Sequence, residues 1–111
     1  MINIVPDVLD TAALARLREL IASAPFIDGK ATAGRRARRV KNNEMMKGDS
    51  PAAIEARGLI MAALGASQLF TRIAFPRRIN QPMINRYGQN MEYGAHVDNA
   101  LMGKQIGRAH V

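Results

Sequence analysis

Apolar positions recur at helical spacing in two stretches of the chain and elsewhere break into short extended pieces. Leu14, Leu17, Leu20 and Ile21 form one stripe at three- and four-residue intervals. Asp10 stands before it as an N-cap, so a helix is predicted over residues 11–22, packed on a sheet and stopped by Pro25. The second stripe is Ile54, Met61 and Leu64, with Ser50 as cap, Pro51 at the first helical position and Gly65 as the natural C-cap. A short helical piece over 67–73 follows. Residues 2–5 read as a strand, and residues 26–33 hold an Asp28-Gly29 turn signal and an extended piece. After Phe75-Pro76 the pattern changes. Residues 77–80 and 83–87 read as strands, and Gly88, Gln89 and Asn90 as a turn. Helices precede strands without internal repeat, which places the chain in the α+β class, its helices packed on the first strands of a sheet.

Composition narrows the picture. With 111 residues there is room for one domain or part of one. The chain has no Trp, three Phe, two Tyr and seven Met, so its core is aliphatic and Met-rich, with Met61, Met83 and Met91 as filler. Cysteine is absent, which excludes disulfides and thiolate metal sites and fits a reducing cytoplasm. No apolar run approaches the roughly 20 residues that span a bilayer. The N-terminus lacks the basic and apolar regions of a signal peptide. A cytoplasmic location is therefore expected, with no membrane partner.

The net charge of +7 is concentrated in Arg35, Arg36, Arg38, Arg39 and Lys41. Such a cluster can bind phosphates. No aromatic residue is interleaved to stack on bases, so a solvated loop or edge strand is the preferred reading over a nucleic-acid site. These arginines could also line the mouth of an active site and attract an anionic substrate.

The candidate chemistry lies in Asn85-Arg86-Tyr87 and, further on, Met91-Glu92-Tyr93-Gly94-Ala95-His96-Val97-Asp98-Asn99. On an extended strand His96 and Asp98 point to the same side. They supply a neutral nitrogen and an anionic oxygen, two members of the 2-His-1-carboxylate set that holds non-haem Fe(II). Alone, His96 reads as an ordinary hydrogen-bonded histidine, and Tyr87 and Tyr93 as half-buried sheet residues.

In order, Asp28-Gly29-Lys30, Thr32-Ala33-Gly34, Val40-Lys41-Asn42-Asn43 and the long run 85–99 resemble the PKHD-type hydroxylases. These are bacterial members of the prolyl-4-hydroxylase-like Fe(II)/2-oxoglutarate dioxygenases. The resemblance extends to about Gln105. A lone His-x-Asp is a weak signal, whereas the ordered run around it is a specific one. Glu44-Met45 departs from the more Gln- or Leu-like pair usual there and leaves the metal motif untouched. The resemblance implies a double-stranded β-helix (jelly-roll) core preceded by packing helices. It implies His96 and Asp98 as iron ligands, and Tyr87 hydrogen-bonded to a 2-oxoglutarate carboxylate. Tyr93 is then beside the metal, and Asn99 orients Asp98 or the next turn. Fe(II), the co-substrate 2-oxoglutarate, O2 and the reductant L-ascorbate follow as expected partners, with the primary substrate unspecified. The far carboxylate of the co-substrate calls for an Arg or Lys clamp.

The family's second iron histidine and its basic clamp fall several strands beyond the His-x-Asp motif. Ile106-Gly107-Arg108-Ala109-His110-Val111 can be encoded by ATC GGA AGA GCA CAC GTC, which matches the start of a common short-read sequencing adapter. The expectation is therefore a dioxygenase-domain fragment over residues 1–105 and a non-native tail over 106–111, with His110 no ligand and the chain inactive as it stands. Two other classes compete: a small basic nucleic-acid-binding module using Arg35 through Lys41, and a metal hydrolase using His96 and Asp98.

Overall fold

The computed structural model describes residues 2–32 and 41–94. Three helices (α1, Thr11–Ser23; α2, Pro51–Ala66; α3, Gln68–Ala74) combine with five short strands. The strands are β1 (Phe26–Asp28), β2 (Lys41–Asn42), β3 (Glu44–Met46), β4 (Asn85–Arg86) and β5 (Glu92–Tyr93). They form two antiparallel sheets, β1-β3-β4 and β2-β5. The α+β class is observed.

Local chemistry sets the helix ends. The Asp10 carboxylate accepts a 2.7 Å hydrogen bond from the Ala13 amide, as the N-cap predicts. Pro25 follows the C-cap Ala24, whose own amide bonds Leu20. Ser50 caps α2 through a 3.2 Å bond from Ala53, with Pro51 first in the helix.

Several expectations are corrected. Residues 2–5 form no strand. Ile2 and Ile4 are 92% and 82% exposed, no ladder partner reaches them, and the left-handed Asp7 (φ 54°) turns the chain beyond them. Gly65 is not the cap of α2, which runs through it to Ala66. Ser67 ends α2 and its hydroxyl caps α3, accepting from Phe70, so no left-handed glycine is needed. The buried side of α2 is also not the one expected. Ile54 is 58% exposed, while Ala53 and Ala56 are buried and Leu59 and Ile60 pack beside them. Small residues win there because they let α1 approach closely. Residues 77–80 form no strand, and 83–87 shrinks to Asn85–Arg86. Left-handed Phe75 (φ 43°) ends α3, and Pro76 and Pro82 lack the donors a ladder requires. The turn at 88–90 is present: the Met91 amide bonds Gly88 at 3.1 Å, and Asn90 takes the left-handed conformation (φ 64°).

The core lies between α1, α2 and one face of the β1-β3-β4 sheet. Leu17, Leu20, Met46, Ala53 and Ala56 are buried together, with Phe26, Ile84, Leu9 and Ile21 packed around them. Outside this core, Arg16 on α1 bonds both carboxylate oxygens of Glu55 on α2, at 2.5 and 2.8 Å, and Glu19 at 3.0 Å. Both partners of the helix–helix pair are nearly half exposed, so solvent and salt screen it.

Two outcomes follow. Hydrogen bonding to Arg16 holds the Glu55 carboxyl below its ordinary value of 4.5. A depressed carboxylate contributes stability above its unfolded pKa and loses it as pH falls through the folded value. Glu55→Gln is therefore expected to lower the urea midpoint slightly at pH 7, where the pairing contributes, and to converge with the parent chain as pH falls below about 4.5, which urea midpoints across pH will show. Ala56→Leu is expected to overpack the α1–α2 contact and cost about 1–3 kcal/mol, read from the same midpoints.

Candidate functional site

Strand alternation divides the β1-β3-β4 sheet into two chemically different faces. Phe26 is in register with Met46, and both join the helix-side core with Ile84. Arg86 belongs to that side too. Its guanidinium lies 3.8 Å from the centroid of the Phe26 ring and 3.1 Å from Glu44 across the strand pair. The other face then carries Ile27 and Asn85, each in register with Met45. Tyr87, two residues beyond Asn85, continues the same alternation. Its ring is 49% exposed, and its hydroxyl has no hydrogen bond to the described residues. Arg86 thus anchors β4 from the helix side and leaves Tyr87 on the open side.

Asn43 sits at the junction of the sheets, between β2 and β3. Gly29, the next residue after β1, donates its amide to the Asn43 carbonyl at 2.9 Å and so extends the β1–β3 ladder by one pair. The carboxamide of Asn43 shares the face of Ile27 and Met45 and is 3% exposed. It lies so close to Gly29 that a Cβ there would stand 1.8 Å from its Oδ1. Among the described residues neither Oδ1 nor Nδ2 has a hydrogen-bond partner. Approach to Gly29 is cushioned by the turn that follows it, where the Asp28 carboxylate accepts from the Lys30 amide at 2.9 Å.

The neighbouring strand pair carries the other described candidate. Tyr93 is half-buried and in register with Lys41; Glu92 faces Asn42, whose side chain reaches the Asn90 carbonyl at 3.4 Å. Residues 41–46 thus hold both Tyr87's sheet and Tyr93's strand. His96, Asp98 and Asn99 lie outside the described residues, as do Arg35, Arg36, Arg38, Arg39 and His110. Among the described residues no three His, Cys, Asp or Glu side chains converge as a metal site. A pocket of about 20 Å³ at the seam of α2 and the sheet is lined by Met46, Ala53, Met83 and Arg57 and has room for a water. It contains no acid or base pair for chemistry.

Known proteins now bear on these residues. A PKHD-type hydroxylase of Xanthomonas campestris pv. campestris (strain B100) is 44% identical over 97 residues, 87% of this chain and 42% of that protein. One from Thioalkalivibrio sulfidiphilus is 40% identical over 108 residues, 97% of this chain and 48% of the relative. One from Synechococcus elongatus is 41% identical over 103 residues, 93% and 46% respectively. The chain is a homologue of the PKHD-type hydroxylases. It spans a little under half the length of these curated relatives. No family model and no solved structure matches it. Among the described residues no helix is long and apolar enough to cross a membrane.

As a PKHD-type hydroxylase homologue the chain shows which of its quoted motifs have a structural basis. Asp28-Gly29-Lys30 is the turn that approaches Asn43, and Lys41-Asn42-Asn43 is the strand to which β5 pairs. Sequence reasoning quoted both motifs but missed what Asn43, Gly29 and Arg86 do. The available signal was a polar residue at the Met45 side of a segment with two adjacent buried methionines, Met45 and Met46. Gly29→Ala is expected to cost about 1–3 kcal/mol by collision with Asn43. The double variant with Asn43→Ala is expected to recover part of that loss, which a double-mutant cycle in urea will measure.

Proposed function

We propose that this chain is part of an Fe(II)- and 2-oxoglutarate-dependent hydroxylase, residues 1–105 belonging to its jelly-roll domain and 106–111 lying outside it. The similarity to PKHD-type hydroxylases over 87–97% of the chain carries this reading. In it, His96 and Asp98 hold the metal, the donor set suited to Fe(II) once a further histidine completes it. Tyr87 donates its hydroxyl to a carboxylate of 2-oxoglutarate. An exposed phenol on the sheet face opposite the helices, with no partner among the described residues, suits that role. Tyr93 stands beside the metal, and Asn99 orients Asp98.

When bound, iron and 2-oxoglutarate supply O2 activation coupled to oxidative decarboxylation to succinate, with ascorbate as reductant. The chain's own contribution is positional. The Arg86–Glu44 and Arg86–Phe26 contacts fix β4, and with it the backbone that presents Tyr87. The pairing of β5 with β2 sets the backbone register up to Tyr93, three residues before His96, where a one-residue slip would reverse every side chain. The Tyr87 hydroxyl, which has no partner among the described residues, is a polar group that fits a carboxylate-bearing co-substrate better than an apolar one.

The test is metal binding by the chain itself. Mn(II) is expected to broaden the His96 ring signals selectively. Loss even of groups that only support metal ligands costs about 10–100-fold in affinity. His96→Ala and Asp98→Asn are each expected to weaken Mn(II) by at least about tenfold. Equal Mn(II) affinity in all three proteins would remove this reading.

A further inference from the structure

A helix that is apolar on every side belongs inside a protein. α2 is close to that limit, with Glu55 and Arg57 its only polar side chains. Yet α1 and the sheet cover only the side of Ala53 and Ala56. Residues 54, 58, 61, 62 and 65 recur at helical spacing on the opposite side. Ile54, Gly58, Ala62 and Gly65 are exposed there. Glycine inside a helix costs stability relative to alanine, and a Cβ at Gly58 would meet nothing within 4 Å in this chain. The exposure continues past Ser67. Leu69 and Ile73, one turn apart on α3, are both exposed. Phe75 is 86% exposed, in a left-handed conformation that a bulky side chain seldom adopts.

Charge says what covers this surface. No Asp or Glu occurs between Glu55 and Glu92, whereas Arg72, Arg77 and Arg78 do. Arg72 shares the helix face of Leu69 and Ile73, and Arg77 and Arg78 follow closely on Phe75. All three are exposed and form no ion pair among the described residues. Glu55 is already held by Arg16. A second copy of the chain would bring up the same uncompensated arginines, and like charges oppose that contact. The chain spans under half the length of the hydroxylases it matches. We propose that α2 and α3 form a docking surface for an acidic amphipathic helix from the part of the hydroxylase outside this chain. The apolar side of that helix seats on Ile54, Leu69, Ile73 and Phe75, and its backbone approaches α2 at Gly58. Its carboxylates pair with Arg72, Arg77 and Arg78, whose planar guanidinium forks suit bidentate contact. The inference rests on the homology and is independent of the iron ligands.

The experiment compares this chain alone with a chimera in which it replaces the matched 97-residue stretch of the Xanthomonas hydroxylase. Hydroxyl-radical footprinting reads side-chain contact with solvent. Ile54 and Phe75 are expected to react freely in the chain alone and to be protected several-fold in the chimera. Equal reactivity in both overturns the proposal. Protection already present in the chain alone, and growing with its concentration, makes a second copy the occupant and also overturns it. Urea midpoints test the chemistry of the contact. Arg77→Glu combined with Arg78→Glu is expected to lower the midpoint of the chimera and leave that of the chain alone unchanged. A chimera indifferent to this pair has no acidic partner there, which overturns the charge assignment and the proposal with it. Gly58→Leu is expected to act in opposite directions, raising the midpoint of the chain alone through helix propensity and lowering that of the chimera by collision. Where the chimera does not fold, footprinting of the intact Xanthomonas protein at the positions aligned with Ile54 and Phe75 decides: protected side chains support the docking surface, and freely reactive ones overturn it.

Discussion

Residues 41–46 are hydrogen-bonded to three other strands, and the arrangement of the described chain depends on that pairing. β3 takes β1 on one edge and β4 on the other, while β2 takes β5. Two further backbone bonds lengthen these ladders, from Gly29 to Asn43 and from Met46 to Ile84 at 2.8 Å. The strands themselves are two or three residues long, far too short to be stable alone. Their geometry is held by what packs on them. Met46 fills the space beneath α1 and α2, and burying a methionine of this kind contributes roughly 1.5–3 kcal/mol. The register of Tyr93 and the placement of β4 are thus consequences of one short segment being pinned from its helix side.

The same segment separates two kinds of residue. Even-numbered positions on β1, β3 and β4, such as Phe26, Met46 and Arg86, face the helices and are occupied by packing groups or by a cation that stacks and pairs. Odd-numbered ones, Ile27, Met45 and Asn85, face away, and the buried amide of Asn43 joins them. Period-two alternation turns a one-dimensional sequence into two chemically different faces, one packed on the helices and one carrying Ile27, Met45 and Asn85.

Helices were legible because their signals are local. Asp10, Ser50 and Pro51 act within one turn of where they stand, and each does what its chemistry predicts. The extent of α2 was not legible, because Gly65 can end a helix or continue one, and the decision fell to Ser67, whose hydroxyl caps the next helix. Its buried side was misread for a related reason. Ile54 is the more hydrophobic residue, yet Ala53 and Ala56 win the interface because contact with α1 rewards small size there. The strands were least legible. Lys41 to Met46 contains four polar residues and shows no strand pattern of its own, since its strand character comes from partners 16 to 52 residues away. Tyr87 and Tyr93 were singled out by resemblance alone, and Tyr93 falls in a paired strand and Tyr87 just beyond one. The burial of the Asn43 carboxamide was not legible, because it is a property of three-dimensional packing.

A division of labour follows between the two faces. The helix layer is joined to the sheet by apolar contacts and to itself by an exposed ion pair, so changes there act through stability and are softened by solvent. The opposite face also buries an apolar residue, Met45, and beside it the Asn43 carboxamide, for which the described residues supply no hydrogen-bond partner. An unsatisfied buried amide is a local cost to stability. Evolution toward greater stability would replace Asn43 with an aliphatic residue, and Gly29 would then no longer need to be glycine. The two positions are coupled in that way because the close approach of the carboxamide leaves no room for a Cβ at residue 29.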